Sequence, residues 1–278
     1  VVALIIAALV IWQLLPKKEA IPVIPSDKPS LAVMYFENNT GDESLDIWRS
    51  ALSDLLISDL SQSKYIRVLP RDRLFSILDQ LNLLESERYS SENLKEVATR
   101  GGASHILQGI LTKAGENFRI NTTLQESGTM EIIGSDMVEG KGEESFHTIV
   151  DELTRRIKAN FKLSEDEIAS DLDKEVGKIT TSSPEAYRYY SEARKYHLGW
   201  DYRKAIKLYE KAVAIDPRFA MAYRGMAVAY GNTGYRLKQR EYIQKAMELS
   251  DRVSDREHYY ILGNFYFQSE KTYDKAIE

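Results

Sequence analysis

Residues 202–217 read YRKAIKLYEKAVAIDP. Laid on a helix, Ala205, Tyr209 and Ala212 fall at i, i+4 and i+7 and make one stripe, while Lys204, Lys207, Glu210 and Lys211 ring the other sides. The stripe is too narrow to bury itself. An isolated amphipathic helix of this length is marginal in water, so another element must cover it.

A shift of 34 residues supplies that element, because it superposes Tyr189 on Tyr223, Ala193 on Ala227, Tyr196 on Tyr230 and Ala212 on Ala246. The Lys-Ala-Ile of the quoted helix returns with Ala276, 71 residues after Ala205, which is two periods plus a three-residue insertion near Ser254–Arg256. A 34-residue period with aromatic, small and aromatic residues in one helix, then small, aromatic, small and Pro in the next, resembles the tetratricopeptide repeat. The first repeat departs from that family at Glu192, where an apolar residue is usual, and the second at Gln239, where a small residue is usual. The resemblance covers residues 184–278, two repeats and a partial third, and implies an all-α solenoid in which each helix pair covers its neighbour's stripe. Ser183 before Pro184 and Glu185 is the helix-start signal of the first repeat.

By that resemblance the stripe is core and ligands sit on the concave face of the first helices. Tyr187, Tyr190, Arg194 and His197 of the first repeat and Arg224 and Asn232 of the second would line that peptide-binding groove, the alternative being ordinary solvated surface. Two guanidiniums can grip a carboxylate bidentately while aromatics cover an extended backbone, so the expected partner is a protein or peptide, bound as an acidic peptide or a free protein C-terminus.

The 278 residues, 43% hydrophobic and 28% charged, suit folded protein of about two domains, and the absence of Cys removes thiolate chemistry and disulfides. Residues 19–183 carry 18 basic and 29 acidic side chains, whereas 184–278 carry 17 and 13, so an acidic body precedes a mildly basic tail and nucleic-acid binding is not expected. Residues 1–15, VVALIIAALVIWQLL, lack charge and are followed by Pro16, Lys17 and Lys18. They read as a truncated transmembrane helix over 1–16, with a cleaved signal peptide as the alternative, and the chain reads as a fragment at both ends. The expected location is single-pass in the inner membrane, with residues 19–278 outside.

Residues 17–29 form a Pro-rich linker, and 30–163 alternate strand, helix, strand, helices, three strands and helix, an α/β domain. Residues 164–183 are an acidic helix and linker. The stretches LAVMYFENNTGD, LSDLLISDLSQSKYIRVLPRDRL and GGASHILQGILTKAGENFRINTTLQESGTMEIIGS are similar to the amino-terminal domain of TolB and its relatives. With a membrane helix before it and repeats after it, the arrangement resembles the region downstream of the catalytic domain in bacterial serine/threonine protein kinases, or membrane-anchored winged-helix regulators of the CadC type. A non-catalytic sensing or scaffolding segment is the expectation. An envelope assembly factor and a nucleotide hydrolase are its rivals.

No cofactor or metal is expected. GSDMVEGKGEES has five residues rather than four between Gly134 and Gly140, and Gly142 rather than Ser or Thr after Lys141, so it fails as a phosphate loop. PRDRL at 70–74 has Pro70 where a kinase catalytic loop has His. His105, His147, His197 and His258 are 42, 50 and 61 residues apart, without metal-ligand spacing.

Overall fold

In the computed structural model, which describes residues 28–171, 174–268 and 274–275, the apolar run at Ser30–Val33 forms a fully buried strand, β1. The expected membrane helix at 1–16 and most of the linker lie outside the described residues. A short β2 (Glu37–Asn38) leads into α1 (Ile47–Leu60), followed by β3 (Arg67–Val68), α2 (Arg71–Gln80) and α3 (Ser91–Gly101). Three ten-residue strands, β4 (His105–Ala114), β5 (Asn117–Glu126) and β6 (Ile132–Lys141), then form an antiparallel meander that ends in α4 (Phe146–Asn160).

The sheet order is β3-β1-β4-β5-β6, with β2 also pairing with β4. β1 pairs parallel with both β3 and β4 because a helical crossover returns the chain in the same direction. Along β5 the buried Phe118, Ile120 and Leu124 alternate with more exposed residues, the two-residue period of a half-covered strand. Phe146 at the start of α4 holds the core between Trp48 and Phe118, with ring centroids 4.4 and 4.9 Å away. The Trp48 indole N–H donates to Glu143 at 2.8 Å, so its burial leaves no polar atom orphaned.

The acidic segment folds back onto this body. Its short helices α5 (Glu165–Ser170) and α6 (Val176–Ile179) follow α4, and Asp171 meets Lys158 at 3.1 Å with both side chains fully buried. The repeats comprise α7 (Pro184–Leu198), α8 (Tyr202–Ile215), α9 (Ala220–Asn232), α10 (Arg236–Glu248) and α11 (Asp255–Tyr266). Ser183 caps α7 by accepting from the Ala186 amide, and Pro184 opens the helix.

Ala205, Tyr209 and Ala212 are buried. Gln239, the second repeat's counterpart of Ala205, is accommodated because its amide lies 2.7 Å from where a side chain on Gly231 would begin. Gly225 does the same for Tyr209, whose ring reaches within 2.5 Å of the Cβ that Gly225 lacks. Gly225→Val is therefore expected to destabilise the repeats by about 2 kcal/mol, since forced overpacking outweighs the gain of roughly 0.5 kcal/mol from replacing a helical glycine. Thermal denaturation checks this, and an unchanged melting temperature would mean that the ring moves aside freely.

Candidate partner-binding interface

Helix α7 packs on α1 of the α/β body, and residues of α9 and α11 line a cleft with α1 and α2. Arg71, the first residue of α2, reaches across with its guanidinium. It donates to the Ser58 hydroxyl, lies 3.5 Å from the Tyr190 hydroxyl, and pairs with Glu257 of α11 at 3.4 Å. Beside it Asp72 accepts a hydrogen bond from Arg194 of α7. Burial works against the Asp72 carboxylate, but Arg194 and Arg71 outweigh it and hold the group below the usual carboxylate range. Lys195 to Glu85 at 2.6 Å and Arg256 to the Ser61 hydroxyl at 3.3 Å extend the contact.

The expected groove residues are accordingly redistributed. Tyr187 and Tyr190 are buried in a cluster with Phe219, at centroid distances of 6.2 and 4.7 Å, and are not open to a peptide backbone. Arg194, expected to grip a ligand carboxylate, is buried and holds Asp72 instead. The reason is steric and electrostatic: α1 and α2 lie over the face that α7 presents, and they bring a carboxylate with them. His197 is half-buried, with Nδ1 3.4 Å from the Tyr209 hydroxyl; burial, aided by Arg194 and Arg224, lowers its pKa to about 4. Arg224 is half-buried, its guanidinium 5.2 Å over Tyr260 and its Nε without a hydrogen-bond partner. Asn232 is exposed. Arg194 and Arg224 do converge on one cavity of about 100 Å³, which Asp72 also lines.

Sequence reasoning missed Arg71, Asp72 and Glu257. PRDRL offered the only signal, and there it was tested as a catalytic loop. A larger cleft of about 320 Å³ opens beside the interface, between Tyr35, Asp54 and Phe75 on the α/β side and Ser191, Glu192 and Lys195 on α7. Burial pushes the Asp54 carboxyl above the usual carboxylate range, against the pull of Arg71 and Arg194. Among the described residues no cluster of His, Cys, Asp and Glu could hold a metal.

With this geometry in hand, two family models match parts of the chain. Residues 195–234 match a TPR repeat, and residues 17–136 match the curli production assembly/transport component CsgG. The chain thus carries a TPR repeat, a protein-interaction element, and a CsgG-like domain. A curated protein of Rhizobium meliloti (strain 1021) named "Putative adenylate cyclase 3" is 23% identical over 210 residues, 74% of this chain, and the chain spans about a third (33%) of that protein's length.

Among solved structures, the LpoB C-terminal domain from Salmonella enterica has 18% identity and a TM-score of 0.32, covering 43% of this chain and 87% of its own. TolB from Acinetobacter baumannii has 11% identity and a TM-score of 0.30, with coverages of 49% and 29%. Lipoprotein GNA1162 from Neisseria meningitidis has 12% identity and a TM-score of 0.36, with coverages of 47% and 99%. At these scores the likeness carries no functional weight. These matches do not show a kinase or CadC-type parent.

The expected inner-membrane, single-pass location is corrected. The matching domain family is that of a curli assembly/transport component, and among the described residues no helix is long and apolar enough to cross a membrane.

Proposed function

We propose that this chain is a non-catalytic protein-interaction factor of the bacterial cell envelope, in which the CsgG-like domain carries the repeat array and sets how much of its concave face a partner can reach. The observation that supports it most is the match of residues 17–136 to a curli assembly/transport component, joined in one chain to a TPR repeat at 195–234. A partner then engages the part of the groove left open, around Arg224, His197 and Asn232. An acidic peptide that reaches Arg194 must displace Asp72, so Asp72→Asn strengthens such binding.

A second reading has the same segment as the interaction region of a larger signalling protein. Its support is the 210-residue alignment with the cyclase-named relative, and the kinase or winged-helix parent implied by resemblance is a form of it. A photo-crosslinking amino acid at Asn232, introduced into the natural full-length protein in its host, distinguishes the two. The first reading expects crosslinks to envelope assembly proteins. Crosslinks confined to a catalytic or DNA-binding domain of the same polypeptide would favour the second and defeat the first.

A further inference from the structure

The first helices of successive hairpins in such an array run parallel, so the C-terminal ends of α7, α9 and α11 fall on one edge, with the turns after α7 and α9 among the described residues. The turns after α7 and α9 present large aromatic side chains to solvent, Trp200 79% exposed and Tyr235 62%, with Leu237 beside Tyr235 82% exposed, and Phe267 at the C-terminal cap of α11 is 68% exposed. Single exposed apolar residues are ordinary on protein surfaces, but one at the C-terminal end of each of three first helices is not a random scatter.

The backbone sharpens the point. Trp200 adopts φ +66°, a left-handed conformation that a bulky side chain rarely takes. One period later the equivalent residue is Gly234, with φ +86° and nothing within 4 Å of its missing Cβ. The turn is therefore satisfied by glycine, and the indole at 200 lies edge-on to Tyr202, centroids 6.2 Å apart, while most of its surface stays in solvent.

Charge accompanies the rings. Residues 200–207 hold Arg203, Lys204 and Lys207 against Asp201, and residues 235–241 hold Arg236, Lys238 and Arg240 against Glu241, which pairs with Lys238 at 3.0 Å. Asp201 is occupied in capping α8, accepting from the Lys204 amide, while Arg203, Lys207 and Arg240 pair with no acidic group among the described residues.

We propose that this turn edge, with Trp200, Tyr235, Leu237 and Phe267 set among Arg203 and Arg240, docks on an anionic lipid surface. Rings at headgroup depth with guanidiniums at the phosphates are the arrangement that a bilayer interface favours, because each side chain keeps its polar end wet and its apolar body covered. These side chains stand at turns and helix ends rather than along a groove. Stacking of further hairpins would lengthen the edge without covering it. The inference stands apart from the partner-binding reading above, since none of these residues belongs to the α/β contact.

The test uses the full chain reconstituted into vesicles of phosphatidylcholine, alone or with about 30 mol% phosphatidylglycerol, whose charge attracts juxtamembrane basic groups. Bromine on the acyl chains quenches indole that enters the interface, and the difference between the protein and its Trp200→Phe variant isolates Trp200 from Trp12 and Trp48. Trp200 emission should fall about twofold in the anionic vesicles and stay unchanged in the neutral ones, with the effect lost at high salt. Replacing Arg203, Arg236 and Arg240 together by Gln should remove the quenching while leaving the helical signal intact. No quenching in anionic vesicles, or equal quenching in neutral ones, overturns the proposal. So does an indole that responds to polyglutamate but not to lipid, which would make the edge a site for acidic protein.

Discussion

Arg71→Ala is expected to loosen the repeat array from the α/β domain at a cost of about 3–5 kcal/mol, the range for removing one partner of a buried ion pair. The side chains of Arg71 and Glu257 are 14% and 6% exposed, and Asp54 is buried beside them, so the substitution strands two carboxylates in a poorly hydrated interface. Arg71 also contacts Ser58 of α1 and Tyr190 of α7, and one residue therefore ties α1, α2, α7 and α11 together. Chemical denaturation should show a lower midpoint, and amide exchange should rise first in α7 and α11. Glu257→Gln added to Arg71→Ala should recover part of the loss, because the stranded charge rather than the missing contact dominates. A single variant that unfolds like the parent protein would show that the two parts hold together without this ion pair.

Acid should weaken the protein through two buried histidines. Burial lowers His147 to a pKa of about 4, and its Nε2 has no hydrogen-bond partner. His197 is lowered to about 4 by burial with Arg194 and Arg224 nearby. Both imidazoles thus stay neutral in the folded state, while in the unfolded chain they bind protons below about pH 6.5. The unfolded state holds more protons between pH 6.5 and 4, so stability falls as pH falls through that window and the slope ends below pH 4. For the well-buried His147 the loss is up to about 3 kcal/mol, at roughly 1.4 kcal/mol per pH unit, and for half-buried His197 it is smaller. The His147 ring stands edge-on to Tyr187 with centroids 6.3 Å apart, so acid acts at the contact between the two domains. His147→Phe keeps an aromatic there and removes the titration. Stability measured from pH 7.5 to 4.5 should flatten in that variant, most of all when His197→Gln is added, and an unchanged slope would assign the acid sensitivity to other groups.

The α/β contact also explains why groove residues could not be placed from pattern alone. Tyr187, Tyr190 and Arg194 have the spacing of a ligand-facing row, and nothing local distinguishes a row that faces a peptide from one that faces the chain's own α1 and α2. Arg194 and Asp72 are 122 residues apart, and Arg71 and Glu257 are 186 apart. Neither separation leaves a periodic trace.

By itself the sequence determined the repeat and its buried stripe, because Ala205, Tyr209 and Ala212 answer to helix period and neighbour sterics, which act over a few residues. It likewise determined the α/β succession, including the three-stranded meander whose alternation is visible in FRINTTL. Only the tertiary structure decided that Gly231 makes room for Gln239, that Asp72 takes the arginine expected to bind a ligand, and that Trp200, Tyr235 and Phe267 stay exposed at the ends of first helices. Each of these depends on which surfaces meet after the helices have formed, and that meeting is governed by shape and charge complementarity between segments far apart in the chain.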